Sequence, residues 1–326
     1  MIKPENFTSE IFFLQSNQFD AAALDVFAYQ YSNNSIYRHF CNYLHRTPQN
    51  VHSIAEIPFL PIEFFKDQKV VTGEWPEQKI FKSSGTTGQV RSHHHVKSID
   101  FYHHITQYIF ESHYGPLSEY IIYALLPSYQ EQGDSSLISM VDYFMSLADV
   151  NSQYFLHSQD QLADELRHNC GKRILLIGVS YALLDLAEKT KLPPEQYIVM
   201  ETGGMKGRRK EMIRTELHEV LKARFHQNHI HSEYGMTELT SQAYGVDGLF
   251  TFPTWCKPMI RDVNDPLTAV GHGKVGGLNI IDLANIHSCA FLETKDLAKT
   301  HENGTFEVLG RFDNSDIRGC NLLINS

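Results

Sequence analysis

The segment QYIVMETGGMKGRRK, residues 196–210, sets the reading of the fold. It begins as an apolar run of strand length, stops at the adjacent glycines Gly203 and Gly204, and then opens a helical pattern with the basic cluster Lys206, Arg208 and Arg209. That is a βα unit, and the same order of events recurs upstream. EYIIYALL (119–126) and KRILLIGV (172–179) have the composition of buried strands, while 101–113, 135–148, 181–190 and 208–226 carry helical spacing. Strands each followed by a helix predict an α/β fold whose central sheet is at least partly parallel. Ligands of such folds gather at the carboxyl ends of the strands.

Moving outward from this core, residues 1–75 are aromatic-rich and helical in pattern, and IPFLPIEFFKD (57–67) is a proline-punctuated connector. After Gly271 the pattern changes to shorter strands and glycine turns, GHGKVGGLNIIDL and NGTFEVLGRFD. The expected division is therefore a helical segment over 1–75 packed on an α/β core over 76–270, followed by a small β-rich subdomain over 271–326.

Composition narrows the function. The 326 residues are 42% hydrophobic, enough for a large core, and 28 Lys plus Arg against 38 Asp plus Glu leave a formal charge of −10. An acidic chain without a long basic run does not present a broad surface for nucleic acid. The start, MIKPENFTSE, has no apolar secretory core, and the most apolar segments are too short to span a bilayer, so a cytoplasmic protein is expected. Five cysteines, widely scattered and never in a CxxC pair, argue against a disulfide framework or a structural zinc site.

Four polar segments carry the chemistry. FKSSGTTGQVR (81–91) packs hydroxyls and glycines into one loop, the donors and open backbone a polyphosphate requires, although it lacks the spacing of a P-loop. METGG closes a strand with glycines that admit a flat ligand. HSEYGMTE (231–238) sets an aromatic, a hydroxyl and a carboxylate together in Tyr234, Thr237 and Glu238. ETKDLA (293–298) and LGRFDNSDIRG (309–319) offer an acid and an arginine suited to a ribose. Each alone also reads as an ordinary polar turn.

Taken in this order, the four segments resemble the adenylate-forming superfamily of acyl-CoA synthetases, nonribosomal adenylation domains and luciferases. SSGTTGQVR is similar to its phosphate loop, ETGG to its adenine-side loop, YGMTE to its signature, TKDL to its ribose-binding motif and GRFDNSDIRG to its hinge. The resemblance implies the enzyme's N-terminal domain fold and an ATP- and magnesium-dependent activation of a carboxylic acid. Ser83, Ser84, Gly85, Thr86, Thr87 and Gly88 would wrap the phosphates, with Arg91 where the family usually has a lysine. Gly203 and Gly204 would line the adenine pocket, and Tyr234, followed by Gly235, would stack on the base. Thr237 would contact the α-phosphate, Glu238 would help hold magnesium, and Asp296 with Arg311 would take the ribose.

Members of the superfamily usually continue past the hinge into a mobile domain carrying a catalytic lysine. This sequence ends at Ser326, just after the hinge motif, so that domain is expected to be lacking and Lys206 or a nearby arginine is a candidate substitute. The same feature makes the chain resemble the acyl-protein synthetase family, whose best-known member is the synthetase component of the luminescence fatty-acid reductase. There the acyl group passes to a cysteine near the C-terminus, and Cys320 stands six residues from the end. A short tail can swing a thiol into a site and out to a partner. A buried small residue is the other reading of Cys320.

The implied activity is formation of an acyl-adenylate from a carboxylic acid, with a fatty acid the leading expectation, followed by transfer through Cys320 to an acceptor protein, a reductase or a carrier protein. A ligase that delivers the acyl group directly to CoA or a carrier protein is the alternative, and a non-catalytic nucleotide- or acyl-binding subunit is a second. The run SHHHV (92–96) invites a metal-site reading, but adjacent strand residues point to opposite faces, so at most one of His93, His94 and His95 is expected to touch a ligand.

Overall fold

The computed structural model describes residues 4–84, 90–167, 171–189, 197–203 and 212–312. Helices α1 (Phe19–Asn33) and α2 (Ser35–Tyr43) precede a hairpin of β1 (Lys79–Lys82) and β2 (His93–Val96). Next come α3 (Ile99–Tyr114), β3 (Tyr120–Leu125), α4 (Ser136–Leu147), β4 (Arg173–Val179), α5 (Ser180–Lys189) and β5 (Tyr197–Thr202). Helix α6 (Arg214–Phe225) and β6 (His231–Tyr234) follow. Strands β7 (Ala243–Val246), β8 (Leu249–Thr251), β9 (Cys256–Arg261), β10 (Val275–Asp282), β11 (Phe291–Thr300) and β12 (Phe306–Arg311) complete the order.

The three strands read from the sequence form the parallel heart of the sheet. β3, β4, β5 and β6 pair in parallel, with α4, α5 and α6 in the connections between them. All six residues of β3 are buried, as are all but the first of β4, which is why both read as unbroken apolar runs. Within α4, Ile138 and Val141 are buried in the core.

Beyond β6 the pairing turns antiparallel, and the strands continue through β7, β8, β12, β11, β10 and β9 as one 13-stranded sheet. Antiparallel pairing thus starts at Ala243. β10 and β11, of eight and ten residues, are longer than the glycine turns around them suggest. Burial along β11 alternates from Leu292 onward, so Thr294, Asp296 and Ala298 share the covered face. That alternation turns a charged sequence, ETKDLAK, into a strand with Asp296 pointing inward.

The helical N-terminal segment is stitched to the antiparallel half. Gln30 Nε2 donates to the carbonyl of Asn285 at 3.0 Å, and the amide of Ala290 donates back to Gln30 Oε1 at 2.8 Å. Asn34 Nδ2 donates to the carbonyl of Ser288 at 3.0 Å. Phe291 is fully buried, stacked on Tyr37 at 5.8 Å and edge-on to Phe27 at 6.1 Å. Burying such a ring contributes roughly 2–3 kcal/mol. Leu60–Pro61 adds a short parallel pairing to β11.

Candidate active site

The phosphate-loop candidate spans the tip of the β1–β2 hairpin, whose register places Phe81 opposite His94 and Lys82 opposite His93. Gly85, Thr86, Thr87 and Gly88 lie outside the described residues. Around them the loop's neck is tied shut. Ser83 Oγ accepts from the amide of Ser92 at 2.9 Å, and the amide of Ser83 donates to the carbonyl of Ser92 at 3.1 Å. Arg91 donates through Nε to the carbonyl of Ser83 at 2.5 Å and pairs with Asp134 at 3.3 Å. Ser83 and Arg91 therefore hold the neck, while Ser84 is exposed toward the tip.

β2 alternates in burial, so Ser92 and His94 face inward and His93 and His95 do not. Both inward residues reach the YGMTE loop. His94 Nδ1 lies 2.7 Å from the carbonyl oxygen of Thr237, and the Ser92 hydroxyl hydrogen-bonds the Glu238 carboxyl. A carbonyl only accepts, so Nδ1 carries the proton. Burial pushes the His94 imidazole down to about 4, against the opposing effect of its bond to Thr237. The hairpin thus contacts both Thr237 and Glu238 of the YGMTE loop.

The Glu238 carboxyl is 5% exposed, and burial raises its pKa despite the Ser92 hydrogen bond and the charges of Arg311 and Lys66. Thr237 is half-buried. The chain beyond them is pinned by Asp282, which accepts from the amides of Thr240 and Ser241 at 3.0 and 2.8 Å, and Asn285 Nδ2 donates to the carbonyl of Glu238 at 2.7 Å. These anchors leave the loop little freedom at its C-terminal end.

Three sequence-predicted residues form one cluster. Tyr234 Oη donates to Asp296 Oδ2 at 2.7 Å, and Arg311 Nε donates to Asp296 Oδ1 at 3.2 Å. Antiparallel register sets Arg311 directly opposite Asp296. Asp296 is buried while the Arg311 side chain is 74% exposed, so a buried acceptor sits beneath an open cation. The Tyr234 ring is 8% exposed, with Phe250, Phe252 and Phe306 edge-on around it. Burial, and then Asp296, hold its hydroxyl protonated far above the ordinary phenol range.

Directly after β5, Gly203 adopts φ +64, a conformation that favours glycine. Its carbonyl accepts from Ser180 Oγ at 3.3 Å. Gly204 and Lys206 lie outside the described residues, as does Cys320. The last residues of β5 are tied to β6: the Thr202 hydroxyl donates to Glu233. Burial pushes the Glu233 carboxyl up to about 7. Glu201, one residue back, points to the other face, where Arg214 Nε donates to it at 2.9 Å and His218 lies 3.6 Å away. Burial opposes its charge, but His218 and Arg214 outweigh burial and hold Glu201 below the ordinary carboxylate range.

Sequence reasoning missed Ser92, His94, Glu201 and Glu233. The signal for Ser92 and His94 was the two-residue alternation of SHHHV, which defines two faces but not which of them is covered. Among the described residues no cluster of three His, Cys, Asp or Glu is placed to hold a metal ion. Magnesium suits this arrangement, because it takes one or two protein carboxylates and completes its shell with water and phosphate oxygens. Glu238 is the carboxylate that the sequence reading assigns to it.

The family described as "Acyl-protein synthetase, LuxE" matches residues 9–102, which include the N-terminal helices and the phosphate-loop hairpin. A long-chain-fatty-acid--luciferin-component ligase from Photorhabdus luminescens is 36% identical over 66 residues, covering 20% of this chain and 56% of that protein. A 2-hydroxyisobutyryl-CoA ligase in complex with 2-HIB-AMP and CoA superposes over 96% of this chain and 73% of its own, with a TM-score of 0.66 at 14% identity. MenE, the O-succinylbenzoate coenzyme A synthetase from Bacillus subtilis in complex with AMP, covers 74% of this chain and 50% of its own, with a TM-score of 0.51 at 16% identity. ATP-bound MatB from Rhodopseudomonas palustris covers 71% and 47%, with a TM-score of 0.51 at 15% identity. The chain thus spans about half the length of the last two and matches little more than half of the curated relative. Over residues 9–102 the sequence is similar to the acyl-protein synthetases, LuxE, and over nearly its whole length the chain has the fold of adenylate-forming ligases.

Proposed function

We propose that the protein activates a carboxylic acid, a fatty acid being the first candidate, by joining it to the α-phosphate of ATP, and then passes the acyl group to a thiol. The observation that carries this reading is the convergence of Tyr234, Asp296 and Arg311 in one hydrogen-bonded cluster beside the signature residues Thr237 and Glu238. Binding a nucleotide alone places no demand for a buried carboxylate at Glu238 in addition to the ribose-type acceptor at Asp296.

In the reaction, a carboxylate oxygen of the acid forms a bond to the α-phosphorus as the bond to the pyrophosphate oxygen breaks. The protein's part is positioning and charge neutralisation. Asp296 accepts from ribose hydroxyls, Arg311 steadies Asp296, and the loop around Ser84 and Gly85–Gly88 supplies donors to the phosphates. Thr237 donates to the α-phosphate. Glu238 would help hold magnesium, which when bound would neutralise charge on the leaving pyrophosphate. Lys206 is the candidate cation for the acyl-phosphate oxygens.

The acceptor thiol is assigned to Cys320. Cys41, Cys256 and Cys289 are buried, and burial raises all three thiols, Cys41 to about 12. A buried thiol so disposed is a poor nucleophile, which supports a role for a cysteine elsewhere in the chain. From Cys320 the acyl group would pass to an acceptor protein.

The test is intact-protein mass after incubation with ATP, magnesium and a panel of acids, with and without hydroxylamine. A hydroxylamine-labile adduct lost in Cys320→Ser but kept in Cys170→Ser supports the thiol assignment. Acid-dependent ATP consumption that requires added CoA, without an adduct, moves the acceptor outside this chain.

A further inference from the structure

Between β10 and β11 the ladder loses its even count beside the ribose-side cluster. Gly277 pairs with Leu297 on one side and Asn279 with Glu293 on the other, so Leu278 alone faces Thr294, Lys295 and Asp296. Such a bulge takes its residues out of the regular ladder, and their polar groups need other partners. The Lys295 carbonyl accepts from the amide of Phe312 at 2.8 Å. The amide of Asp296 donates to Thr294 Oγ1 at 3.1 Å, and that hydroxyl donates to the carbonyl of Leu278 at 2.8 Å.

Arg261, at the end of β9, fills the bulge. Its Nη1 donates to the carbonyl of Leu278 at 2.9 Å and to Asn279 Oδ1 at 2.8 Å, and its Nη2 donates to the carbonyl of Thr294 at 2.7 Å. Nη2 also lies 3.6 Å from Glu293 Oε1, and the guanidinium carbon sits 5.5 Å from the centre of the Phe312 ring. The side chain is 8% exposed. Burial works against its charge, and Glu293 and then Asp296 support it. The glycines of GHGKVGG explain how a guanidinium reaches this place. Gly277 stands opposite Arg261 in the β9–β10 register, and a Cβ there would lie 2.4 Å from Cζ. The planar fork spans two carbonyls at once, which the single ammonium of a lysine does not do.

The bulge decides where Asp296 stands. A regular ladder continued from Asn279 and Glu293 would bring Lys295, not Leu297, opposite Gly277, a slip of two residues or roughly 7 Å along the strand. Asp296 would then leave both Tyr234 Oη, which donates to it at 2.7 Å, and its cross-strand neighbour Arg311. We propose that Arg261 is a positioning residue of the nucleotide site: it holds the bulge open, which keeps Asp296 between Tyr234 and Arg311, and thereby sets how strongly the site selects a nucleotide by its ribose hydroxyls. The inference rests on the reading of Asp296 as the ribose acceptor and adds the buried cation that aims it. In this role Arg261 acts only through Asp296.

The experiment compares ATP with 2′-deoxyATP and 3′-deoxyATP in two measurements: exchange of labelled pyrophosphate driven by the most active acid of the panel, and thermal shift with each nucleotide and magnesium but no acid. It is run on the wild type, Arg261→Gln, Arg261→Lys, Gly277→Ala and the double variant of Arg261→Gln with Gly277→Ala. The wild type is expected to prefer ATP over at least one deoxy analogue by roughly tenfold or more in kcat/KM, since a site built to bond a hydroxyl rejects the analogue lacking it. Arg261→Gln should bring that ratio to within about threefold of one and raise the KM for ATP roughly tenfold, with kcat little changed. Arg261→Lys should regain part of the ratio. Gly277→Ala keeps the arginine but pushes its guanidinium off the bulge, so it should lower the ratio too, and the double variant should lose no more than Arg261→Gln alone. A ratio unchanged in Arg261→Gln and Gly277→Ala, whatever their melting temperatures, would overturn the inference and leave Arg261 a purely structural residue. Where Arg261→Gln does not fold, an unchanged ratio in Arg261→Lys and Gly277→Ala overturns it equally, as does a wild type that treats the three nucleotides alike in both measurements. Absence of exchange with every acid, while thermal shift still shows a preference for ATP that Arg261→Gln or Gly277→Ala removes, would withdraw the adenylation reading and leave the positioning role standing.

Discussion

His94 donates its Nδ1 proton to the carbonyl of Thr237 at 2.7 Å, tying the strand that leaves the phosphate loop to the loop that carries the signature. The contact joins two segments 143 residues apart in the chain. It makes His94 a positioning residue: movement of the hairpin is felt at Thr237 and, through Ser92, at Glu238.

Asn at position 94 presents an amide N–H near the place of Nδ1, whereas Leu presents nothing. His94→Leu is expected to lower kcat/KM for pyrophosphate exchange by tenfold or more, and His94→Asn to recover part of that loss. The imidazole also links stability to pH. Its folded-state pKa, about 4, lies below the ordinary 6.5, so the unfolded chain takes up a proton that the folded chain excludes between those values. Stability is therefore full above pH 6.5 and falls as pH drops toward 4, by on the order of 3 kcal/mol from this one group. Denaturant titrations between pH 7 and 4 should show that slope in the wild type and a shallower one in His94→Leu.

Asp296 is the common acceptor of Tyr234 and Arg311, so removing it leaves a buried phenol unpaired. Asp296→Ala is expected to raise the KM for ATP by tenfold or more and to cost about 1–3 kcal/mol of stability. Tyr234→Phe, which leaves the carboxylate paired with Arg311, should cost less on both counts. Equal effects of the two substitutions on KM would remove Asp296 from the nucleotide site.

Glu238→Gln keeps the volume and can still bond Ser92, but it gives up the negative charge. Exchange should fall by two orders of magnitude or so, with part of the loss recovered at high magnesium, while the melting temperature changes little or rises, because burial works against this carboxylate. A large fall in melting temperature would mark Glu238 as a structural charge.

Phe291→Ala removes the ring on which Tyr37, Phe27 and Phe59 converge. A loss of about 3–5 kcal/mol is expected, with limited proteolysis cutting first within the N-terminal helical segment. Cleavage beginning in β3–β5 would show that this segment is not the part the ring secures.

The parallel half was legible because its strands are buried on both faces, which writes them as apolar runs, and because each is followed by a helix. The antiparallel half was harder to read. Its long strand β11 alternates covered and open positions, so Glu293, Lys295 and Lys299 disguise it as a charged turn. The candidate residues Tyr234, Thr237 and Glu238 were legible as a motif because they are close neighbours in sequence. What holds them was hidden, because Ser92 and His94 reach them across the tertiary structure and the partners of Glu201 come from α6. Nothing local in SHHHV distinguishes the histidine that faces the site from its neighbours. Arg91, expected from the motif to meet the phosphates, is paired with Asp134, 43 residues away, a partner the motif does not reveal.

The central claim is acid-dependent adenylation at the Tyr234–Asp296–Glu238 site, and the most direct measurement is exchange of labelled pyrophosphate into ATP, with magnesium, as each acid of a broad panel is added. The account predicts exchange that requires an acid, persists in Cys320→Ser, and falls sharply in Asp296→Ala and Glu238→Gln. Exchange that runs equally without acid, or that survives both site substitutions, would contradict it.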